Sequence, residues 1–318
     1  MKNIQLFLMM GAIACSKSDS SGGDSGAADD GGGGSGTPGD ISGFIGATDP
    51  NGDPPPAPTG DLTCVGPALG VETAAAGCVA QRSMQGMVLD FQSDDPVDDA
   101  TVEIFQTDTT ANAPEVVVET DPSGMFTASD VYACQPFTYR VSTDEALDET
   151  KVTIEAHDVM TNNGPTVSPS HEMRSVSSVT YQLIPNLLGI SPDVSKGIVA
   201  GRAYDCGSGY LEGMQVVIHD GDSETTGQVP DGVSAKYFVD EFPARAQAWT
   251  SEDGLWILLD VPPGTWTVDG YVSDEAGGYT KVSSTQLNVV AGSINISSLY
   301  GGLRDGVKMP EECLSACG

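Results

Sequence analysis

Thr250-Ser-Glu-Asp-Gly-Leu-Trp-Ile-Leu-Leu-Asp-Val-Pro-Pro-Gly-Thr-Trp-Thr-Val268 decides how this 318-residue chain is read. Asp253-Gly254 and Pro262-Pro263-Gly264 punctuate it as strand, tight turn, strand, second turn and third strand. A weaker copy lies upstream, where Thr120-Asp-Pro-Ser-Gly-Met-Phe126 aligns with Thr250 to Trp256 without a gap. The correspondence spreads outward from there. Gly86-Met-Val-Leu-Asp90 matches Gly201-Arg-Ala-Tyr-Asp205, and Thr101 to Ile104 matches Gln215 to Ile218. Phe126 stands where Trp256 stands, and Phe137 where Trp266 does, within one residue. The opening glycine and the turn glycine are 38 residues apart in the first copy and 53 in the second. About 15 extra residues therefore fall between Asp220 and Arg245.

Short alternating segments such as Phe137-Thr-Tyr-Arg-Val141, separated by Gly and Pro turns, predict an all-β chain. The expected architecture is two tandem antiparallel Greek-key β-sandwiches, residues 81–191 and 196–304. Strands are expected through Lys151–Ala156 and Val179–Ile184 at the end of the first. A cysteine-bracketed segment, 61–80, precedes the pair, and a cysteine-containing tail, 305–318, follows it.

Asp and Glu number 45 against 13 Lys and Arg, a formal charge of −32. Such a surface repels nucleic acid and anionic lipid head groups, so no nucleic-acid partner is expected. A solvated acidic coat accounts for most of these charges, with calcium as the cofactor they could hold.

At the N-terminus, Lys2 precedes the apolar run Ile4–Ala14, too short to span a bilayer, and then Cys15. Ala12-Ile13-Ala14-Cys15 resembles a bacterial lipoprotein lipobox, with Ala12 where that family usually has Leu. The resemblance implies a signal peptide over 1–14, cleavage before Cys15 and acylation of that residue, palmitate included. Several acyl chains on one residue would anchor the protein stably to a membrane. Ser16 in place of Asp favours the outer membrane under the proteobacterial sorting rule, with the face of that membrane left open. Residues 15–60, rich in Gly, Ser, Asp and Pro, are expected to be a disordered tether. As a coil it would hold a domain roughly 35–40 Å from the lipid.

Six further cysteines, Cys64, Cys78, Cys134, Cys206, Cys313 and Cys317, suggest three disulfides in an exported chain. No C-x-x-C occurs and His157, His171 and His219 are far apart in sequence, which argues against zinc.

The pattern G-x-[VA]-x-D, then D-G-x-[FW]-x-L and V-P-P-G-x-[YW]-x-V, resembles the carboxypeptidase regulatory-like domain. That resemblance implies a transthyretin-like (prealbumin-type) sandwich. It covers about 100 residues of the second copy well and the first loosely, where Tyr132-Ala-Cys-Gln-Pro136 replaces Pro-Pro-Gly. It implies no peptidase activity, because the catalytic pattern of the zinc carboxypeptidases is missing. Nor does any other motif single out a catalytic residue. Gly23-Asp-Ser-Gly26 lies in the tether, without a rigid base or oxyanion donors around it. B-type repeats of surface adhesins also resemble the pattern and imply a Lys–Asn isopeptide, for which Lys196 with Asn288 or Asn295 would be the partners.

Trp249 takes the outward place of Glu119 when Ala246–Thr250 is laid on Val116–Thr120. With Tyr237 and Phe238 of the adjoining insertion it could form an aromatic platform for a carbohydrate or a peptide. Asp220, Asp222, Glu224 and Asp231, on one loop, are the candidate calcium ligands. The sequence thus points to a lipid-anchored, non-enzymatic cell-envelope protein whose sandwich loops bind a carbohydrate or protein partner. The alternative is a spacer or accessory subunit of an envelope complex without its own ligand.

Overall fold

The computed structural model describes residues 45–107, 109–110, 112–144, 150–161, 171–220, 230–274 and 278–315. The signal segment, Cys15, Cys317, Asp222 and Glu224 lie outside the described residues.

The first repeat supplies β1 (Ala80–Asp90), β2 (Thr101–Phe105), β3 (Val116–Glu119), β4 (Met125–Ala133) and β5 (Pro136–Ser142). It continues with β6 (Thr150–Lys151), β7 (Thr153–Val159), β8 (His171–Ser177) and helix α1 (Ser178–Leu187). The second supplies β9 (Gly197–Tyr204), β10 (Met214–His219), β11 (Ser234–Val239), β12 (Phe242–Ala244) and β13 (Leu255–Val261). After these come β14 (Gly264–Ser273), β15 (Tyr279–Val289), β16 (Ile294–Ile296), β17 (Leu299–Tyr300) and a short α2 (Glu311–Leu314).

Pairing is duplicated between the copies. Antiparallel β1/β4, β2/β5 and β5/β7 recur as β9/β13, β10/β14 and β14/β15. Parallel β1/β8 recurs as β9/β16. The extra residues of the second copy include β11 and β12, a hairpin added to the free side of β13.

The aligned residues make the same contacts. Thr120 Oγ1 accepts from Ala100 N–H and donates to Val97 O, both at 2.8 Å. Thr250 Oγ1 accepts from Met214 N–H at 2.9 Å and donates to Leu211 O at 2.7 Å. Gly124 (φ 71°) and Gly254 (φ 66°) adopt the left-handed conformation their turns require. Gly86 faces Phe126 across the strand pair and Gly201 faces Trp256. In both copies the missing Cβ makes room for the aromatic ring, since a Cβ on Gly86 would stand 2.0 Å from Phe126 and one on Gly201 2.7 Å from Trp256.

The two sandwiches share a sheet. Its strand order is β12-β11-β13-β9-β16-β7-β5-β2-β3, and β16 pairs in parallel with both β9 and β7. Register fixes what each face buries. Ile294 and Ile296 share a face with Thr153 and Glu155 of β7, and through them with Tyr139 and Val141 of β5. On that face lie the core of the first sandwich, closed by β4-β1-β8-β6, and the cluster beneath α1. Val199 and Asn295 point to the other face, where Trp256, Leu258 and Tyr237 pack beneath β10-β14-β15. The two cores thus occupy opposite faces of one sheet. Buried Asn295 fixes the seam: its Nδ2 donates to Ile198 O at 3.0 Å and its Oδ1 accepts from Ser293 Oγ at 3.3 Å. Asn288 Nδ2 donates to Thr110 Oγ1 at 3.1 Å, and both amides therefore serve as hydrogen-bond donors.

Three expectations are corrected here. Residues 178–187 form a helix and not the strand expected over Val179–Ile184. Ser177 caps it by accepting from Thr180 N–H, and the helical face bearing Tyr181, Ile184 and Leu188 packs on the shared sheet. Residues 45–60 are not free tether but a strap along the second sandwich. Gly46 N–H donates to Gln215 Oε1 at 3.0 Å, Gln215 Nε2 donates to Ala47 O at 2.9 Å, and Thr59 Oγ1 donates to Glu212 Oε2 at 2.8 Å. Parallel pairs (β1/β8, β16/β7, β16/β9, β17/β9) stand beside the antiparallel ones expected.

Cys64 is bonded to Cys206, which ties the end of the strap to the second sandwich. Cys134 is bonded to Cys313, which ties the tail to the first. Cys78 is in a disulfide as well. Cross-links spanning 142 and 179 residues each remove about 5 kcal/mol of chain entropy from the unfolded state.

Substituting Gly201→Ala is expected to cost about 3 kcal/mol or more in chemical unfolding, because its Cβ would also stand 2.0 Å from the Ser297 backbone oxygen. For Gly86→Ala the nearest atoms all belong to the Phe126 ring, a side chain that can shift, and the cost is expected to be lower. An unfolding midpoint unchanged by Gly201→Ala would refute the packing described.

Candidate functional site

Strap and second sandwich enclose a groove of about 540 Å³ around Trp249. Residues 246–250 form no strand; they run beside the free edge of β10, where β3 pairs with β2 in the first copy. Buried Gln215 holds both walls in place. One Nε2 hydrogen reaches Ala47 O of the strap and the other Ala248 O beside Trp249, at 2.9 Å each.

The lining is part apolar and part acidic. Half-buried Trp249 and exposed Val239 of β11, Pro54 and Pro56 of the strap supply the apolar part. Asp49, Asp53, Glu212 and Glu252 supply four carboxyl groups, and among the described residues no Lys, Arg or His lines the groove. Asp49-Pro-Asn-Gly-Asp53 is a turn closed by the Asp49 side chain, whose Oδ1 accepts from Asn51 N–H at 2.9 Å and Asp53 N–H at 2.8 Å. Those hydrogen bonds, the one from Asp53 foremost, hold the Asp49 carboxyl below its usual pKa. Ser251 also lines the groove, is only 8% exposed, and its Oγ has no hydrogen-bond partner.

The structure separates the expected aromatic trio. Tyr237 is fully buried, its hydroxyl accepting from Val216 N–H at 2.9 Å, and Phe238 is 8% exposed beneath α1. Alternation along β11 sends the two rings to opposite faces of the sheet, so they cannot join Trp249 in one platform. Trp266 lies at the rim of the core and donates to Pro262 O at 2.8 Å. Asp220 and Asp231 are exposed, and among the described residues no three His, Cys, Asp or Glu side chains gather as a metal site. His219 lies 2.9 Å from buried Asp269, which also takes Lys281 Nζ at 3.0 Å and Ser284 Oγ at 2.6 Å. Asp269 is the hub, so the serine donates to a carboxylate and not to an imidazole that could activate it.

A second cluster went unread in the sequence. Near the seam, the Tyr139 hydroxyl donates to Glu155 and accepts from Arg174 N–H, while His171 Nε2 lies 2.6 Å from Asp158 Oδ2. Burial first, then the Asp158 charge, pushes the Glu155 carboxyl up to about 7 against the opposing pull of Tyr139, His171 and Arg174. Burial alone would lower the pKa of His171, but Asp158, Glu155 and Glu172 carry it above the ordinary imidazole value. With its pKa raised on folding, Glu155 adds stability that is full below about 4.5 and is lost as pH rises through about 7. The stability of the wild type relative to Glu155→Gln should therefore fall between pH 4.5 and 7 in urea titrations and level off above. A difference independent of pH would contradict it.

No family model matches the chain, and no curated protein matches it. Among solved structures it is similar to the shaft pilin SpaA from Lactobacillus rhamnosus GG, 10% identical over 70% of this chain and 98% of that one, with a TM-score of 0.22. It is also similar to BcpA, the major pilin subunit of Bacillus cereus, 8% identical over 70% of this chain and all of that one, with a TM-score of 0.20. Scores so low lend no weight to any reading of assembly or function.

Proposed function

We propose that this chain is a non-enzymatic, lipid-anchored protein of the cell envelope that binds a partner in the groove beside Trp249. The groove carries the reading. It joins an aromatic surface to a set of acceptors, and a fully bonded buried side chain, Gln215, braces both of its walls. Anchoring rests on the lipobox-like Ala12-Ile13-Ala14-Cys15 and on the even set of cysteines beyond it, at least five of them in disulfides. Ser16 supports the outer membrane. The shared sheet favours a second reading, a stiff spacer, because two sandwiches fused through β16 hold a fixed relation to each other.

The full-length wild type, expressed in a Gram-negative host, is expected to partition with membranes and to incorporate a palmitate analogue. Cys15→Ser should abolish both, and equal partitioning of the two proteins would remove the anchor from the proposal. For the groove, the probes are capped Lys- and Arg-containing peptides, a glutamate-containing counterpart and a neutral oligosaccharide, followed by tryptophan fluorescence and calorimetry. At least one class should bind, and Trp249→Ala should weaken it about tenfold. Binding by none of them, or binding indifferent to Trp249, leaves the spacer.

A further inference from the structure

The chemistry of the groove narrows the partner, on the reading just proposed. We infer that the groove receives a lysine or arginine side chain from an extended cationic peptide segment. Such side chains join an alkyl stem to a charged head, and the walls divide in the same way. Trp249, Pro54, Pro56 and Val239 offer the stem apolar surface, and an indole attracts cations. Asp49, Asp53, Glu212 and Glu252 line the groove with them, and among the described residues no cationic side chain does.

Two of these carboxylates are fixed in place. Asp49 is held by the N–H groups of its own turn, and Glu212 Oε2 accepts from Thr59 Oγ1 at 2.8 Å. The donors they receive from are neutral, backbone N–H groups for Asp49 and a hydroxyl for Glu212, and leave their charges uncancelled. A neutral sugar would have to share acceptors that repel one another, whereas a guanidinium or ammonium relieves that repulsion as it binds. Ser251 borders the same groove, and its buried hydroxyl has no hydrogen-bond partner among the described residues. The net charge of −32 steers a cationic segment toward the molecule and turns away a second copy of the same chain.

The test uses the folded chain at physiological salt and capped repeat peptides, Gly-Lys and Gly-Arg, against the Gly-Glu counterpart and a neutral hexasaccharide. The cationic peptides should bind. Asp53→Asn combined with Glu252→Gln should weaken them about tenfold, as should Trp249→Ala. These positions are exposed or half-buried, so the variants keep the fold, which circular dichroism verifies. The control pair Asp98→Asn with Glu119→Gln removes the same charge from the first sandwich and should change affinity less than twofold. Equal weakening by the control pair would mean diffuse attraction to an acidic surface and would overturn the inference. Binding of the hexasaccharide in place of the peptides, still sensitive to Trp249, would overturn the inference and leave the groove standing. Failure of all probes would remove both.

Discussion

Three residues, Ile294 to Ile296, hold the architecture together by hydrogen-bonding on both sides at once. Without β16, β9 and β7 would each be an edge strand carrying unpaired backbone groups, a free energy cost and an aggregation hazard. With it, two cores that each need their own covering sheet share a central one and face opposite ways. The arrangement depends on a polar residue in a dry place. Asn295 points into the second core, where a hydrocarbon would pack more cheaply, and its amide instead locks strand order through Ile198 and Ser293. His157 extends the junction by reaching Gln286 O, at 2.6 Å, in the covering sheet of the other sandwich.

What was legible in the sequence was what repeats. Thr120 and Thr250, Gly124 and Gly254, and the glycine–aromatic pairs are local devices that recur, and each copy vouches for the other. The all-β class followed from the same alternation. What failed to show was set by long-range partners. Residues 45–60 read as tether because composition reports too few apolar side chains, yet the strap is held by backbone groups bonded to Gln215 and by Thr59 bonded to Glu212. Val179-Thr-Tyr-Gln-Leu-Ile184 alternates like a strand, but packing of Tyr181, Ile184 and Leu188 on the shared sheet favours the helix that Ser177 caps.

The candidate site was half legible for the same reason. Trp249 stood out because the repeat left it nothing to match except Glu119. Its neighbours did not, since the opposite wall lies almost 200 residues earlier in the chain. Proximity in sequence put Tyr237 and Phe238 forward, and strand alternation then turned them to opposite faces of the sheet. The Tyr139, Glu155, Asp158 and His171 cluster had no sequence signal, because its members meet only where β5, β7 and β8 converge.

The strap also sets where mechanical load enters the molecule. Chain order places the first sandwich next to the N-terminal end, but the strap delivers that end to the second. A pull from that side reaches Cys64–Cys206 before it reaches any strand of the first sandwich. The 19 residues from 45 to 63, roughly 65 Å when fully extended, can peel away first while both cores stay folded. Asp49, Asp53, Pro54 and Pro56 leave with them, so the groove loses a wall as the line tightens. On the reading proposed, grip in the groove and tension on the N-terminal end would therefore be opposed, and an occupant would be released when the protein is stretched.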